Sequence, residues 1–364
     1  ADPAAVARVK TNYSELFKEF NKAKAEADFI VIDTGDTARL DEMWEIATDQ
    51  VLTAQKKSAL TAIDHFIGQV RGHLNLQKDL LMVVVPSPSV ASLKINSLLT
   101  PFVIVGGGTD SGLVWSGTVK RDGLIANTDI ASTVLNYFGQ DNSVTGTDGE
   151  TMLLVGQVIK SRPSADVLSE VTKLHSETYF LHVSRSPLIR AYLNFTLVVI
   201  ILSTAMILLR TRFVQVMVPL LAAIPVMPGV MLWGNYFPKT SPAAAAVSIF
   251  AMAAVFTAVL FYVTKKRPAG FFLVISGVTM AMLVVDLFVG APLGKTSPFS
   301  YDALAGARFY GIGNEFMGIL IGSTIVFSAL GLDFPVNKRY ARAAAAILFL
   351  IVTYSIAAPN LGTN

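Results

Sequence analysis

The distribution of apolar residues changes once along the chain, near residue 187. Before that point apolar residues come in short blocks separated by glycine, proline and charged side chains. After it they come in runs long enough, or nearly so, to cross a hydrocarbon layer about 30 Å thick. These runs lie near 188–209, 214–233, 243–263, 271–289, 316–332 and 342–358. They predict six spanning helices, the second broken or kinked by Pro219, Pro225 and Pro228. The pattern divides the chain into a polar domain, 1–187, and an all-α transmembrane domain, 188–364, whose partner is the lipid bilayer.

The blocks before residue 187 predict an α/β domain. Phe29–Asp33, Leu80–Val85 and Phe102–Val105 are compact apolar runs suited to buried strands. Residues 112–118 suit an edge strand. Residues 51–75 carry Leu52, Leu60, Ile63, Phe66 and Ile67 near helical spacing, and Asn127-Thr128-Asp129 opens a further helix. Strands alternating with helices predict a mainly parallel sheet, whose functional groups gather at the carboxyl ends of strands. Three stretches qualify: Asp33–Asp36, Pro86–Ser89 and Gly106–Asp110.

Composition agrees with the division. Charged residues are 15% of the 364, where soluble domains carry about 25%, and the mean hydropathy is +0.54. The formal net charge of +3 makes no case for nucleic acid. With no cysteine in the chain, disulfides, thiolate metal sites and cysteine nucleophiles are excluded. The opening ADPAAVARVK has neither an initiator Met nor a signal-type apolar core, and the ending APNLGTN follows an apolar run abruptly. The chain therefore reads as a fragment of a longer protein.

The order of several segments resembles the alkaline-phosphatase superfamily over roughly residues 28–140. They are VIDTGDTARLD, ALTAIDHFIGQV, DLLMVVVPSPS and TPFVIVGGGTDSGLVWSGTVKRDGLIANTDIASTVLNYFG. The resemblance is greatest to the phosphoglycerate-mutase-like and glycolipid-ethanolamine-phosphate-transferase-like branches. It implies the C-terminal part of an α/β phosphatase-like domain, with metal-dependent phosphotransfer or phosphohydrolysis on a lipid-linked or envelope substrate. It implies two metal ions, Zn or Mn, and a Ser or Thr nucleophile upstream of this segment. Asp33 and Asp36 stand where such enzymes place an Asp ligand. The family's Ser-Asp-His-Gly is replaced by Pro86-Ser87-Pro88-Ser89, poor ligands for either metal. That departure leaves a second expectation open: a degenerate domain that binds or regulates, attached to a transporter-like membrane part.

Other polar groups separate into candidates and bystanders. Asp33, Asp36, Arg39 and Asp41 are dense charge at a strand end, readable as a metal or phosphate site or as a solvated loop with a local ion pair. Gly106–Gly108 could approach a phosphate. His65, His73, His175 and His182 read as surface or packing residues. The membrane half concentrates its polarity in GARFYGIGNEFMG, 306–318, where Arg308, Asn314 and Glu315 stand near a helix start. Asp286, near the end of the fourth span, predicts a shared polar site with them, because charge near a membrane interior is costly and tends to be functional.

The loops fix an expected orientation. Arg210, Arg212, Lys265, Lys266, Arg267, Lys338, Arg339 and Arg342 flank the odd-numbered loops, whereas the even-numbered loops hold Lys239, Lys295 and Arg308. Basic loops stay in the cytoplasm, so the N-terminal domain is expected outside it. Single cysteines near Gln140 and near Lys266 are expected to react oppositely with an impermeant thiol reagent on intact cells. Labelling at 266 with protection at 140 would invert the topology.

Overall fold

The computed structural model describes residues 6–7, 9–145, 151–211, 213–306, 309–333, 337–359 and 361–362. Its contacts separate into two compact units. One comprises residues up to Val114 together with Asn127–Ala165, and the other comprises Trp115–Ala126 and Asp166 onward.

The first unit is built on helices. Helix α1 (Tyr13–Glu26) starts at Asn12, whose side chain accepts from the Glu15 N–H. It is followed by the short α2 (Asp36–Glu42) and by α3 (Asp49–Gly72). Phe20 of α1 packs on Phe66 and Val70 of α3, with Tyr13, Leu16, Phe17, Ile30, Ile32 and Leu81 around them. Strands β1 (Leu80–Val84) and β2 (Phe102–Gly106) form an antiparallel pair running from Leu80↔Gly106 to Val84↔Phe102, with the short α4 (Val90–Lys94) between them. β3 (Leu113–Trp115) pairs with β6 (Lys160–Arg162), and α5 (Thr128–Tyr137) precedes the antiparallel pair β4 (Ser143–Thr145) and β5 (Thr151–Leu153).

Two expectations are corrected here. Among the described residues the strands form two-stranded sheets and the expected mainly parallel sheet is not formed. Strands of a parallel sheet are buried on both faces, but Val84 and Val103 are each more than a third exposed. Phe29–Asp33 is not a strand. Its alternation is strand-like, with Ile30 and Ile32 turned to the α1–α3 cluster and Phe29 and Val31 to the outside, yet among the described residues no strand pairs with it. The three glycines 106–108 have φ of 90°, 59° and 79°, so they form a left-handed turn. A side chain at Gly106 would sit 2.2 Å from the Asp79 carbonyl oxygen.

Among the described residues the second unit holds six helices long and apolar enough to cross a membrane: α6 (Val167–Leu208), α7 (Val214–Met231), α8 (Pro242–Val263), α9 (Pro268–Phe288), α10 (Asn314–Leu332) and α11 (Lys338–Ala357). The chain is a multi-span membrane protein. Leu193, Leu197, Ile200, Ile201, Leu208 and Leu209 on α6 are exposed, an apolar surface far beyond what a soluble protein leaves in water. Between the helices lies an apolar core, with Phe271, Phe316, Met227, Met231, Ile249 and Leu320 all but fully buried.

Local chemistry shapes these helices. Ser241 caps α8 through the Ala244 N–H, with Pro242 in the first turn. α7 carries its three prolines within a continuous helix. Pro228 has no N–H for the Ile224 carbonyl, and the Tyr192 hydroxyl, 3.5 Å away, stands near that oxygen instead. α6 and α8 end on left-handed residues that are not glycine: Arg210 after α6, and Lys265 and Lys266 after α8. The expected boundary at 187 falls inside α6, which runs on through Pro187.

Glycines let the connecting loops lie against the helix ends. A side chain at Gly234 would meet the Thr296 carbonyl oxygen at 2.5 Å, whereas one at Gly322 of α10 would meet nothing within 4 Å. Gly234→Ala is expected to destabilise the protein in detergent by about 1–3 kcal/mol through overpacking against backbone. Gly322→Ala is expected to leave the melting temperature unchanged or slightly raised. Equal melting temperatures for the two variants would contradict this close approach.

Candidate functional site

The polar chemistry of the helical unit gathers at one end. The segment before Pro187 on α6, the end of α7, the start of α8, the end of α9 and the start of α10 meet there, with residues 289–306 and 309–313 among them. Lys239 donates to Glu177 of α6 at 2.8 Å and to the Asn235 side chain at 2.8 Å. Arg185 donates to Glu315 at 2.8 Å and to the Pro298 carbonyl at 3.1 Å. His182 contacts Asp302 at 2.7 Å. Ser297 donates to the Met231 carbonyl at 2.8 Å, which fixes the loop on α7.

Residues 115–126 belong to this cap. The Lys120 ammonium lies 3.7 Å over the Tyr310 ring and donates to the Pro359 carbonyl at 3.1 Å. Lys295 reaches the Lys120 carbonyl at 3.4 Å. Arg121 turns inward. Burial disfavours its charge and lowers its pKa, while Tyr301 and Glu177 favour the charged form; a guanidinium remains a cation under such a shift. Burial likewise pushes the Tyr301 hydroxyl up to about 12. Arg121 lines a cavity of about 30 Å³ with Glu177, Ser184, Lys239 and Lys295. Ser184 is fully buried, and its hydroxyl has no partner among the described residues.

The residues predicted from sequence fall into separate clusters. Asp286 is 5% exposed, and its two oxygens accept from the N–H groups of Leu293 and Gly294, both at 2.8 Å. It thereby caps the single helical turn Gly294–Thr296. Glu315 stands in the first turn of α10, where its charge suits the helix N-terminus, and its ionic partner is Arg185. Asn314 is exposed at the first position of α10. Arg308, expected beside Glu315, lies outside the described residues, as does Arg212 among the topology signals.

In the first unit Asp36 is the buried acid of its cluster, 6% exposed. It accepts from the Thr11 N–H at 3.0 Å, the Tyr13 hydroxyl at 2.7 Å and Arg39 at 2.5 Å. Asp33 accepts from the Gly35 N–H at 3.0 Å, and Asp41 from the Val90 N–H at 3.3 Å. Zinc or manganese would need free carboxylate oxygens beside imidazole or further acids. Both Asp36 oxygens are engaged by donors, one of them a guanidinium. Among the described residues no group of three His, Asp or Glu side chains converges on a metal position. Asp33 and Asp36 as arranged do not fit a metal ion.

No protein-family model, curated protein or solved structure matches the chain.

Arg121 and its cavity were not legible in the sequence. KRDG stands in a segment whose neighbours on both sides belong to the first unit, and the pairing of His182 with Asp302 spans 120 positions. One signal was available for Glu177 and Arg185: they continue the helical register of the first span beyond its apolar run.

Burial works against the Asp36 carboxylate, but the hydrogen bonds from Tyr13, Arg39 and Thr11 outweigh it and hold its carboxyl below the usual range. The group's stabilisation is complete above its unfolded pKa, about 3.9, and is lost as pH falls through the lower folded value. Asp36→Asn is expected to destabilise the protein by about 1–3 kcal/mol at neutral pH. The gap to wild type is expected to narrow as pH falls below about 4. A pH-independent gap in melting temperature would contradict the assignment.

Proposed function

We propose that this membrane protein handles a phosphate-bearing, lipid-linked or envelope substrate at the extracytoplasmic face of the bilayer. The supporting observation is the polar cap: charged and hydrogen-bonding side chains from α6, α9 and α10, from the loops beside them and from Trp115–Ala126 are assembled at one end of an apolar helical unit. An assembly of that kind suits a ligand with a polar head and an apolar tail. The extracytoplasmic orientation is supported by the basic residues of the opposite loops.

The resemblance of residues 28–140 to the alkaline-phosphatase superfamily supports phosphate as the recognised chemistry. It carries phosphotransfer or phosphohydrolysis only as far as a nucleophile and metal ligands can be found for it. The engagement of both Asp36 oxygens by Thr11, Tyr13 and Arg39 favours a second reading of the first unit, as a binding or regulatory module.

The test compares lipid extracts of host membranes with and without the gene. Loss of the protein is expected to change the abundance of at least one phosphate-bearing envelope or lipid-linked species. An unchanged phospholipid and lipid-linked profile would overturn the proposal.

A further inference from the structure

We propose that the end of the helical unit opposite the polar cap is a docking surface for the head groups of anionic phospholipids. The cations after α6, in the turn between α8 and α9, and at the start of α11 would hold them. The inference does not depend on the reading of the cap, because it concerns the other ends of the same helices.

The end of α9 and the start of α10 lie in the cap, so the start of α9 and the end of α10 lie away from it. The end of α8 joins the start of α9 through residues 264–267, and the start of α11 follows the end of α10. α6 enters the cap before Pro187, so its end at Leu208 is also remote from it. Around these ends stand Arg210, Lys265, Lys266, Arg267, Lys338, Arg339 and Arg342, with one acid, Asp333. All seven cations are exposed. Among the described residues none of them forms an ion pair. Lys338 donates to the Leu332 carbonyl, which carries no charge. The cap differs: there Lys239 is paired with Glu177, and Arg185 with Glu315.

The depth of these cations narrows the partner to lipid. They stand directly beyond exposed apolar surface, with Val263 on α8 at 63% exposure and Leu350 on α11 at 70%. Tyr262 and Tyr340 stand beside them, 86% and 71% exposed, and exposed tyrosines gather at the level of lipid head groups. Arg210, Lys265 and Lys266 occupy left-handed positions, φ 50°, 51° and 60°, where glycine would be unstrained. The turns thus carry cations where the backbone favours glycine. A cation at that depth draws anionic lipid by about fivefold in binding for each Lys or Arg. A zwitterionic head group brings its own cation with its phosphate and cancels most of that attraction. The guanidinium groups of Arg267, Arg339 and Arg342 add paired donors that match phosphate oxygens.

The test places the full chain in nanodiscs of phosphatidylcholine with a minority of phosphatidylglycerol, and retained lipid is counted by native mass spectrometry. One site variant is Lys265→Gln/Lys266→Gln/Arg267→Gln, and the other is Lys338→Gln/Arg339→Gln/Arg342→Gln. Lys22→Gln/Lys57→Gln/Lys173→Gln removes as much charge from exposed lysines elsewhere and serves as control. Melting temperature in detergent reports the folding of each. Wild type and control are expected to retain phosphatidylglycerol over phosphatidylcholine, and each site variant to lose about tenfold or more of that preference. The wild-type preference is expected to fade in about 1 M salt, where exposed charges are screened within about 3 Å. The two site variants lie on different helices, so misfolding of one leaves the other to decide, and the salt response needs no variant. Equal preference in wild type and both site variants would overturn the surface. So would an equal loss in the control, which would assign the effect to net charge, or a preference that salt leaves unchanged. Stabilisation of wild type by inorganic pyrophosphate, lost in the site variants and unaccompanied by a phosphatidylglycerol preference, would assign the cations to a soluble anion and overturn the lipid.

Discussion

The arrangement of the helical unit follows from the cost of charge beside hydrocarbon. An ionised group at the bilayer centre is expensive by several kcal/mol or more, so six spans can carry charge only toward their ends. Asp286 is the acid set deepest in a spanning helix, in the last turn of α9. Its two oxygens are met by two backbone donors of the loop that follows. Among the described residues Glu177, Arg185 and Glu315 of the cap pair with partners from different elements. The same cost makes the cap cohesive. Its contacts join elements distant in sequence, so the polar layer holds these ends of the spans together where apolar packing ends.

Sequence made the spans legible because length and composition decide them with little help from tertiary context. α7 to α10 lie close to their predicted runs, and α6 differs by extending about twenty residues upstream, where polar residues hide a helix that the apolar criterion does not register. The α/β half was less legible. α3 was evident from its periodicity, although Ala59 is buried where Leu60 was expected inward. Phe29–Asp33 has the composition and alternation of a strand, and composition cannot say whether a neighbouring strand exists to pair with it. For the same reason Leu80–Val84 and Phe102–Gly106 were recognised as strands but not as an antiparallel couple.

The candidate site was legible in kind and not in membership. Asp286 and Glu315 stood out because they are acids next to apolar runs, and both belong to the cap. Their partners are backbone N–H groups in one case and Arg185 in the other, relations that appear only when the helices are side by side. Arg121 had no such cue. It belongs to a twelve-residue piece that leaves one unit, contributes to the other and returns, so its position in the chain misstates its position in space.

The left-handed cations that end α6 and α8 have a consequence for biogenesis. Glycine is the residue that takes this conformation without strain; Arg210, Lys265 and Lys266 take it at a cost of order 1–3 kcal/mol each. Arg210 and Lys265 each place a positive charge two residues beyond a helix end, on the turn itself. In the proposed orientation, with the cytoplasm negative, drawing one such charge through an energised membrane costs about 2.3 kcal/mol per 100 mV, besides its dehydration. In that orientation the charges themselves oppose transfer of the α6–α7 and α8–α9 turns across the membrane, without help from packing against other helices. Topology in that orientation is a local matter of the turns, and the polar cap draws on the opposite ends of the same helices.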